Sequence, residues 1–338
     1  MRTLRSFSTG KVSQAGRTLV ELMVSITIGL AVTAAVAGMY VASTRTARVA
    51  SELAGIADGG QVALQLIGNA IRQSGYGEIV GSEIALGAAQ VNAQRSQTLF
   101  ADGVSLIGCT GARFVDDTAA APVCGGAVDP NFDALMVRFQ GDTVIPPAQG
   151  RIDDCLGTLP PPEALPVGHV GTVVTADRPM VQNAYYGMGG ALWCRGNGRA
   201  NAAAPFVAAQ QLVGNVEQFK VFYGFDDLRY ANPDATPGAT VRSLRDADFL
   251  NGLPAGTQPW DFVVSVHVCM VVRSSADASR DLTNAAAYTY QRCPTSAAEA
   301  AAGAPEVVAN DRALRRTYTQ VYTIRSRATA NPRQFLPG

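Results

Sequence analysis

The chain has 338 residues, enough for one or two domains at the usual length of about 150 residues each. Its formal net charge is zero, so bulk charge gives no argument for a nucleic-acid partner, and none is expected. Only 16% of the residues are charged and glycine and proline are plentiful, a composition that suggests a loop-rich exported domain.

The first strong element is an apolar run near the start of the chain. The 23 residues between Glu21 and Arg45 carry no charge. As a helix they span roughly 35 Å at about 1.5 Å per residue, more than the bilayer's hydrocarbon core of about 30 Å. The four charges before Glu21 are all positive, at Arg2, Arg5, Lys11 and Arg17. This bias predicts a cytoplasmic N-terminal end and an exported remainder.

A cleaved secretory signal peptide is the first alternative. It would combine an apolar core of about 7–15 residues with a small-residue cleavage site after that core. Here the apolar run is longer, and the small residue at a plausible cut, Gly16, precedes it. A plain membrane anchor also has no need of Glu21, which lies one turn into the helix.

The segment Gly16-Arg17-Thr18-Leu19-Val20-Glu21 resembles the processing site of type IV prepilins. The resemblance implies that a prepilin peptidase cuts between Gly16 and Arg17, that the new amine of Arg17 is methylated, and that Glu21 serves assembly. Two departures from the major pilins point to a minor pilin. Arg17 stands where Phe is common, and the leader of 16 residues is long.

Glu21 has two candidate roles, which can hold together. A carboxylate at the edge of a bilayer is costly unless it is paired. The resemblance implies pairing with the amine of Arg17 on a neighbouring subunit of a filament. The alternative is a capping box, because Thr18 and Glu21 have the spacing of that motif at a helix start.

The expected organisation has four parts: a leader at residues 1–16, a transmembrane helix at 17–44, an amphipathic continuation at 45–76, and a β-rich head with disulfides at 77–338. In the continuation, apolar residues recur at helical spacing from Val49 to Ile71. We expect Gly59-Gly60 to bend or fray the helix, and Gly75 to end it as a left-handed cap.

Beyond residue 76 the apolar period changes to two, which is typical of strands in sheets with one buried face. The strand candidates are residues 135–139, 170–175, 216–223, 262–273 and 318–325. In 262–273, alternate residues from Phe262 to Val272 are predicted to line the buried face. A long N-terminal helix packed on an antiparallel sheet is an α+β fold, and the resemblance makes it pilin-like.

All six cysteines follow the apolar run, and an even count in an exported region indicates disulfides. They are Cys109, Cys124, Cys155, Cys194, Cys269 and Cys293. Fifteen pairings are possible. Pairing in sequential order closes the shortest loops and is the expected arrangement. Zinc is disfavoured because no Cys-x-x-Cys occurs.

Signs of catalysis are weak, so we expect a protein that is not an enzyme and has no cofactor or metal. The Gly-x-Ser-x-Gly, His-Glu-x-x-His and Walker motifs do not occur. His169 and His267 have no evident partners. Acid pairs at Asp116-Asp117, Asp153-Asp154 and Asp226-Asp227 are more typical of turns than of calcium sites. The aromatic residues Tyr185, Tyr186, Trp193, Tyr223 and Tyr230 are a candidate ligand surface, with core packing the favoured interpretation.

Three further segments resemble PilW-type minor pilins: residues 132–139, 216–224 and 314–325. This implies an inner-membrane protein with a periplasmic head, which enters the pilus and primes or caps it. The implied partners are other minor pilins, the major pilin and the inner-membrane assembly platform. The alternatives are the related J-type pseudopilin of type II secretion, and a tip adhesin or other ligand-binding module.

Processing at Gly16 is directly testable. Replacing Gly16 with a bulky residue should leave the leader attached, because the peptidase needs a small residue before the cut. N-terminal sequencing of the membrane-extracted wild-type protein should begin at Arg17. A mature start after Ala42 would instead identify a conventional signal peptide.

Overall fold

The structure, a computed structural model, describes residues 18–76, 104–117, 119, 122–141, 154–158, 162–163, 178–198, 207–231, 243–254, 258–274, 289–309, 311 and 313–325. Gly16, Arg17, His169 and the strand predicted at 170–175 lie outside these residues. The chain divides into two compact units, Met1–Ser51 and Glu52–Gly338.

The elements follow one another as a long helix, then a β-rich region with four short helical turns. In chain order they are α1 (Leu19–Gln73), β1 (Leu106–Cys109), β2 (Ala112–Phe114), β3 (Cys124–Val128), β4 (Ala134–Gln140), β5 (Pro162–Glu163), β6 (Arg178–Met188), β7 (Ala191–Gly196), β8 (Gln210–Gly214), β9 (Val216–Phe225), α2 (Asp227–Ala231), β10 (Ser243–Arg245), α3 (Ala247–Asn251), the 3-10 turn η1 (Pro259–Phe262), β11 (Val263–Arg273), β12 (Thr289–Gln291), α4 (Ala297–Ala302), β13 (Glu306–Val308) and β14 (Arg315–Thr323). The predicted α+β class is therefore confirmed.

The strands form two larger antiparallel sheets and two small hairpins. The first sheet has the order β1-β4-β6-β7-β8, with β5 also paired to β6. The second has the order β10-β9-β11-β14. The hairpins are β2-β3 and β12-β13. Consecutive strands β8 and β9 belong to different sheets and are separated by Asn215 alone, so the chain changes sheet at this corner.

Helix α1 is one continuous element of 55 residues, and its second part packs into the head. The side chains buried there recur every three or four residues, as an amphipathic helix requires: Ile56, Gly60, Ala63, Leu64, Ile67, Gly68, Ala70 and Ile71. The helix ends at Gln73, and Gly75 has a φ of 71°, which confirms the predicted left-handed cap. The Gly75 amide donates to the carbonyl of Arg138 in β4 at 3.0 Å.

The core of the second unit lies between the buried face of α1 and the inner faces of both sheets. Strand β9 contributes Phe219, Val221 and Tyr223, as its alternation predicted. Strand β11 departs from the prediction at its start. An irregularity between Val263 and Ser265 shifts the register, so Val263 joins the main core and Val264 does not, while Phe262 packs against that core as a partly buried side chain.

Strand β4 is buried on both faces along all seven residues, although its sequence alternates. One face joins the main core. The other, with Ala134 and Met136, is covered by a second cluster that includes Cys109 and Phe114 from the β1–β2 region. Residues of β1 and β2, distant in sequence, cover the outer face of β4, which explains why a strand predicted to be half-buried is fully buried.

Two tyrosines of β14 join the edge of the second sheet to helix α1. The Tyr318 hydroxyl donates to the Ile56 carbonyl at 2.9 Å, and the Tyr322 hydroxyl donates to the Leu64 carbonyl at 2.5 Å. Their rings rest on glycines four residues further along the helix. A Cβ at Gly60 would lie 2.5 Å from the Tyr318 ring, and one at Gly68 would lie 2.1 Å from the Tyr322 ring.

The expected fraying at Gly59-Gly60 is wrong, because α1 continues through both residues as helix. Gly60 instead makes room for an aromatic ring. The loss of helix propensity at this glycine, about 1 kcal/mol, is offset by the close packing and the hydrogen bond that the missing Cβ permits.

The three disulfides pair the cysteines sequentially: Cys109 with Cys124, Cys155 with Cys194, and Cys269 with Cys293. The first ties the start of β3 to the end of β1, and the second ties the 154–158 loop to β7. The third attaches the segment after β12 to the middle of β11. Each bridge joins a loop or short strand to a strand of a larger sheet: β1 at the edge of the first sheet, and β7 and β11 in the interior of the first and second sheets.

Gly68→Ala should lower the free energy of unfolding by about 1–3 kcal/mol, because the new methyl group overlaps the Tyr322 ring. Gly55→Ala is the matched control. A Cβ at Gly55 meets nothing within 4 Å, so alanine there should be neutral or stabilising by up to about 1 kcal/mol. Thermal unfolding of the full chain in detergent would compare them. Equal melting temperatures for the two variants would contradict the packing argument.

The disulfides predict that the exported full-length protein contains no free thiol. Alkylation followed by mass spectrometry should label no cysteine before reduction and all six after it. Peptides linked by the three sequential bridges should be recovered after non-reducing digestion. Six thiols labelled without reduction would reject the disulfide arrangement and reopen the question of a metal site.

Candidate functional site

The exposed N-terminal part of α1 is the first candidate site. Apolar side chains from Leu19 to Val41 are exposed, with Leu19 at 75% and Met39 at 73%. The most apolar 18-residue window has a mean hydropathy of 2.1, and none of it is buried. By length and composition α1 could cross a membrane. A core helix of a soluble protein would bury such a surface.

Five hydroxyl side chains in and just after this apolar segment bond to the helix itself. The hydroxyls of Ser25, Thr27, Thr33, Thr44 and Thr46 each donate to a backbone carbonyl three or four residues earlier, at 2.7–3.0 Å. Such bonds give these five donors a partner in an apolar environment. The serines and threonines are therefore compatible with a membrane or with an apolar helix bundle.

Helix α1 begins with a side-chain cap. The Thr18 hydroxyl oxygen accepts a hydrogen bond from the Glu21 amide at 3.3 Å, and the Thr18 carbonyl accepts from the same amide at 3.1 Å. This is the first half of the capping box that the sequence suggested. The Glu21 side chain is exposed. The cap therefore leaves the carboxylate accessible for a further role.

A second group of interactions joins two of the head segments singled out from the sequence. Asp133 lies just before β4, and Lys220 lies within β9. The Lys220 ammonium contacts an Asp133 oxygen at 2.5 Å, and both side chains are 3% exposed. The second Asp133 oxygen accepts from the Val221 amide at 2.8 Å. Phe132 and Phe219 form a parallel β-bridge beside this pair.

The environment of Asp133 is that of a buried structural ion pair. Burial raises its pKa, and the charge and hydrogen bond of Lys220 oppose that shift. The Gly111 amide donates to the same carboxylate at 2.8 Å. With these partners Asp133 fixes the turn before β4 to strand β9 and to Gly111, between β1 and β2. No local pattern in the sequence indicates the contact between Asp133 and Lys220, which are 87 positions apart.

The aspartates considered as calcium ligands have structural partners. Asp117 pairs with Arg195 at 3.1 Å, and Asp227 pairs with Arg245 at 3.2 Å. Asp154 accepts from the amides of Leu156, Thr158 and Gly198, and so closes its loop onto β7. Asp226 accepts from the Arg229 amide at 3.1 Å, at the start of α2. Asp153 lies outside the described residues. Over the described part of the chain, no three His, Cys, Asp or Glu side chains converge as a metal site.

The remaining candidate residues are mostly packed. His267 is half-buried on the outer face of β11, and burial lowers its pKa. Tyr185 and Tyr223 lie in the main core, while Tyr230 packs against Phe225 and Phe262. Tyr186 and Trp193 lie together on the other side of the first sheet. The five aromatic residues therefore do not form one ligand surface.

The structure also contains a polar cleft that the sequence did not indicate. Its volume is about 490 Å³, and its lining comes from five separate parts of the chain. These are the 131–132 turn, the glycine turn between β6 and β7, the corner at Asn215 with the start of β9, Arg273 at the end of β11, and Tyr290 in β12. We call it the corner cleft. Asn215, with a φ of 55°, is the one described non-glycine residue with positive φ.

Part of the chain matches a known protein family. Residues 180–326 match the family model described as Type IV Pilus-assembly protein W. The resemblance seen in the sequence is thus confirmed over this region, which includes the motifs at 216–224 and 314–325 and excludes the one at 132–139. No curated protein matches the sequence. Among solved structures, a type IV-like pilin from Thermus thermophilus is similar at 13% identity, covering 71% of this chain and 94% of that one, with a TM-score of 0.30.

Proposed function

We propose that this protein is a minor pilin that joins other minor pilins to prime or cap a type IV pilus. The match to a pilus-assembly family supports a structural role among pilins. The observation that carries the proposal is helix α1. It is continuous from Leu19 to Gln73, exposes its apolar first part and buries its second part in the head.

The apolar part of α1 suits both environments that a pilin enters, the membrane and the filament. Before assembly, its apolar part would anchor the chain in the inner membrane, with the head in the periplasm. After the prepilin peptidase removes residues 1–16, the same surface would move into a bundle of neighbouring helices in the filament, with the help of the inner-membrane assembly platform. Both environments are apolar, so transfer between them costs little hydrophobic free energy.

Glu21 would direct that assembly step. In a bundle of apolar helices its carboxylate is costly unless a cation pairs with it. The methylated amine of Arg17 on a neighbouring subunit supplies one cation, and the Arg17 guanidinium supplies a second, bidentate option. The second option also gives Arg17 a reason to occupy a position where Phe is common in major pilins.

Glu21→Ala should leave leader cleavage and membrane insertion intact and sharply reduce incorporation into pili. Removing one partner of a buried charge pair costs several kcal/mol, whereas losing a helix cap costs about 1 kcal/mol. Glu21→Gln removes the charge and keeps an oxygen acceptor, so it should resemble Glu21→Ala. Sheared pilus fractions probed for this protein, normalised to its amount in the membrane, provide the measurement.

Thr18→Val is the matched control for capping. It keeps the side-chain shape but removes the oxygen that accepts from the Glu21 amide. It should therefore leave incorporation close to wild type. If Thr18→Val reduced incorporation and Glu21→Gln did not, capping would be the operative role of the motif. Wild-type incorporation of both Glu21 variants would reject charge pairing.

A further inference from the structure

We propose that the corner cleft binds an acidic peptide segment of a neighbouring pilin subunit, with Arg273 as the residue that captures its carboxylate. The inference rests on the proposed function for the source of the peptide. The chemistry of the ligand follows from the residues that line the cleft.

Arg273 has hydrogen-bonding capacity to spare because a second arginine holds its nearest carboxylate. Both Glu217 oxygens accept from Arg315, at 2.6 Å and 2.8 Å, in a bidentate pair. Arg273 approaches Glu217 only to 3.6 Å, which is longer than a hydrogen bond. Its side chain is 43% exposed, whereas that of Arg315 is 9% exposed. The Arg273 guanidinium therefore faces the cleft as a planar donor suited to a carboxylate.

Carboxamide side chains around Arg273 can form hydrogen bonds with the peptide groups of a ligand. Asn131 and Asn215 are exposed at the cleft. Gln218 uses its oxygen to accept from the Cys293 amide at 2.9 Å, which leaves its amide hydrogens available. A carboxamide both donates and accepts, as a peptide group does. Three carboxamides beside one guanidinium thus match a short peptide that carries an acidic side chain.

Two other ligand classes fit less well. A saccharide site normally offers an aromatic face, but here Phe132 is 6% exposed and the Tyr290 ring lies under the Arg315 guanidinium at 5.2 Å. A phosphate dianion would be repelled by the Glu217 carboxylate, and Arg273 is the one arginine among the described lining residues. A ligand with a single carboxylate matches the charge of Arg273 better. The volume of about 490 Å³ lies within the range of about 300–1,000 Å³ for ligand pockets.

The walls of the cleft are fixed before any ligand arrives. The Val216 amide donates to the Gly190 carbonyl, and the Phe219 amide donates to the Asn131 carbonyl, both at 2.9 Å. The Arg273 amide donates to the Asn215 carbonyl at 2.9 Å. The Cys269–Cys293 disulfide holds the segment that follows Tyr290. Preorganised walls reduce the ordering cost of binding.

Photo-crosslinking in cells tests the proposal with the full-length protein. Asn131 is replaced by p-benzoylphenylalanine, and the same replacement at the exposed Phe249, which does not line the cleft, is the positional control. Irradiation should join the Asn131 variant to another pilin subunit, and mass spectrometry should place the link next to an Asp, a Glu or a C-terminal carboxylate. The Phe249 variant should not give this adduct.

Charge variants test the role of Arg273. Arg273→Glu should reduce the adduct at least about tenfold, because losing a close charge pair weakens binding by that much or more. Arg273→Lys should retain much of it. Arg316→Glu makes the same change in net charge outside the cleft and should leave the adduct unchanged. Reversing the partner's acidic residue to Lys should restore the adduct with Arg273→Glu. Protein level and mobility on non-reducing gels confirm that each variant folds.

Each contrary result has a separate meaning. Wild-type protein in sheared pili with no subunit adduct from position 131 would overturn the cleft proposal and leave the pilin proposal standing. An adduct that Arg273→Glu does not reduce would overturn carboxylate capture, as would an adduct to a saccharide. Absence of the wild-type protein from pili would overturn the proposed function, and with it the pilin source of the peptide.

Discussion

The fold of the head depends on the contact between two tyrosines of β14 and two glycines of α1. Gly60 and Gly68 are eight residues apart, about 12 Å along a helix, and Tyr318 and Tyr322 are four residues apart, about 13 Å along a strand. The two spacings agree, so each ring meets a glycine and each hydroxyl meets a helix carbonyl. A side chain at either glycine would hold β14 away from the helix. It would also open the inner face of the second sheet, where β11, with Val266 and Met270, is the next strand.

The sequence predicted the parts of the fold that follow from local periodicity. The apolar spacing of α1 and the alternation of β9 correctly specify which residues face the main core, among them Ile67 in α1 and Phe219 in β9. Strand β4 shows the limit of this argument. Its outer face is covered by residues near β1 and β2, and no pattern within 135–139 encodes that contact. The irregularity in β11 likewise depends on its pairing with β9 and is not visible in a run of valines.

The candidate sites also differ in whether they depend on neighbouring residues or on distant segments of the chain. The cap at Thr18 involves neighbouring residues, so the sequence identifies it. The processing motif is equally local and stays a prediction. The Asp133–Lys220 pair and the corner cleft join segments far apart along the chain, and their residue types are common in loops. The dipeptide Gly214-Asn215 is of a type that favours turns, which fits the corner between the sheets but does not indicate the cleft beside it. The role of Gly60 could not be predicted from the sequence either. A glycine within a helix can mark a bend or a site of close packing, and the packing partner, Tyr318, is distant in sequence.

The exposed apolar part of α1 and the corner cleft suit two different tasks: attachment to neighbouring helices, and discrimination between one neighbouring protein and another. Apolar helix surfaces pack with little directional preference, so the exposed part of α1 would accept many similar helices. Selection of one neighbour over another needs groups whose burial is costly when unpaired, and repulsion of wrong partners serves as well as attraction to the right one. In the described part of the chain, Glu21 offers one such group on the apolar helix, and Arg273 offers another in a rigid cleft on the head. Because the first lies on a surface suited to many similar helices, the second is better suited to distinguish among neighbours.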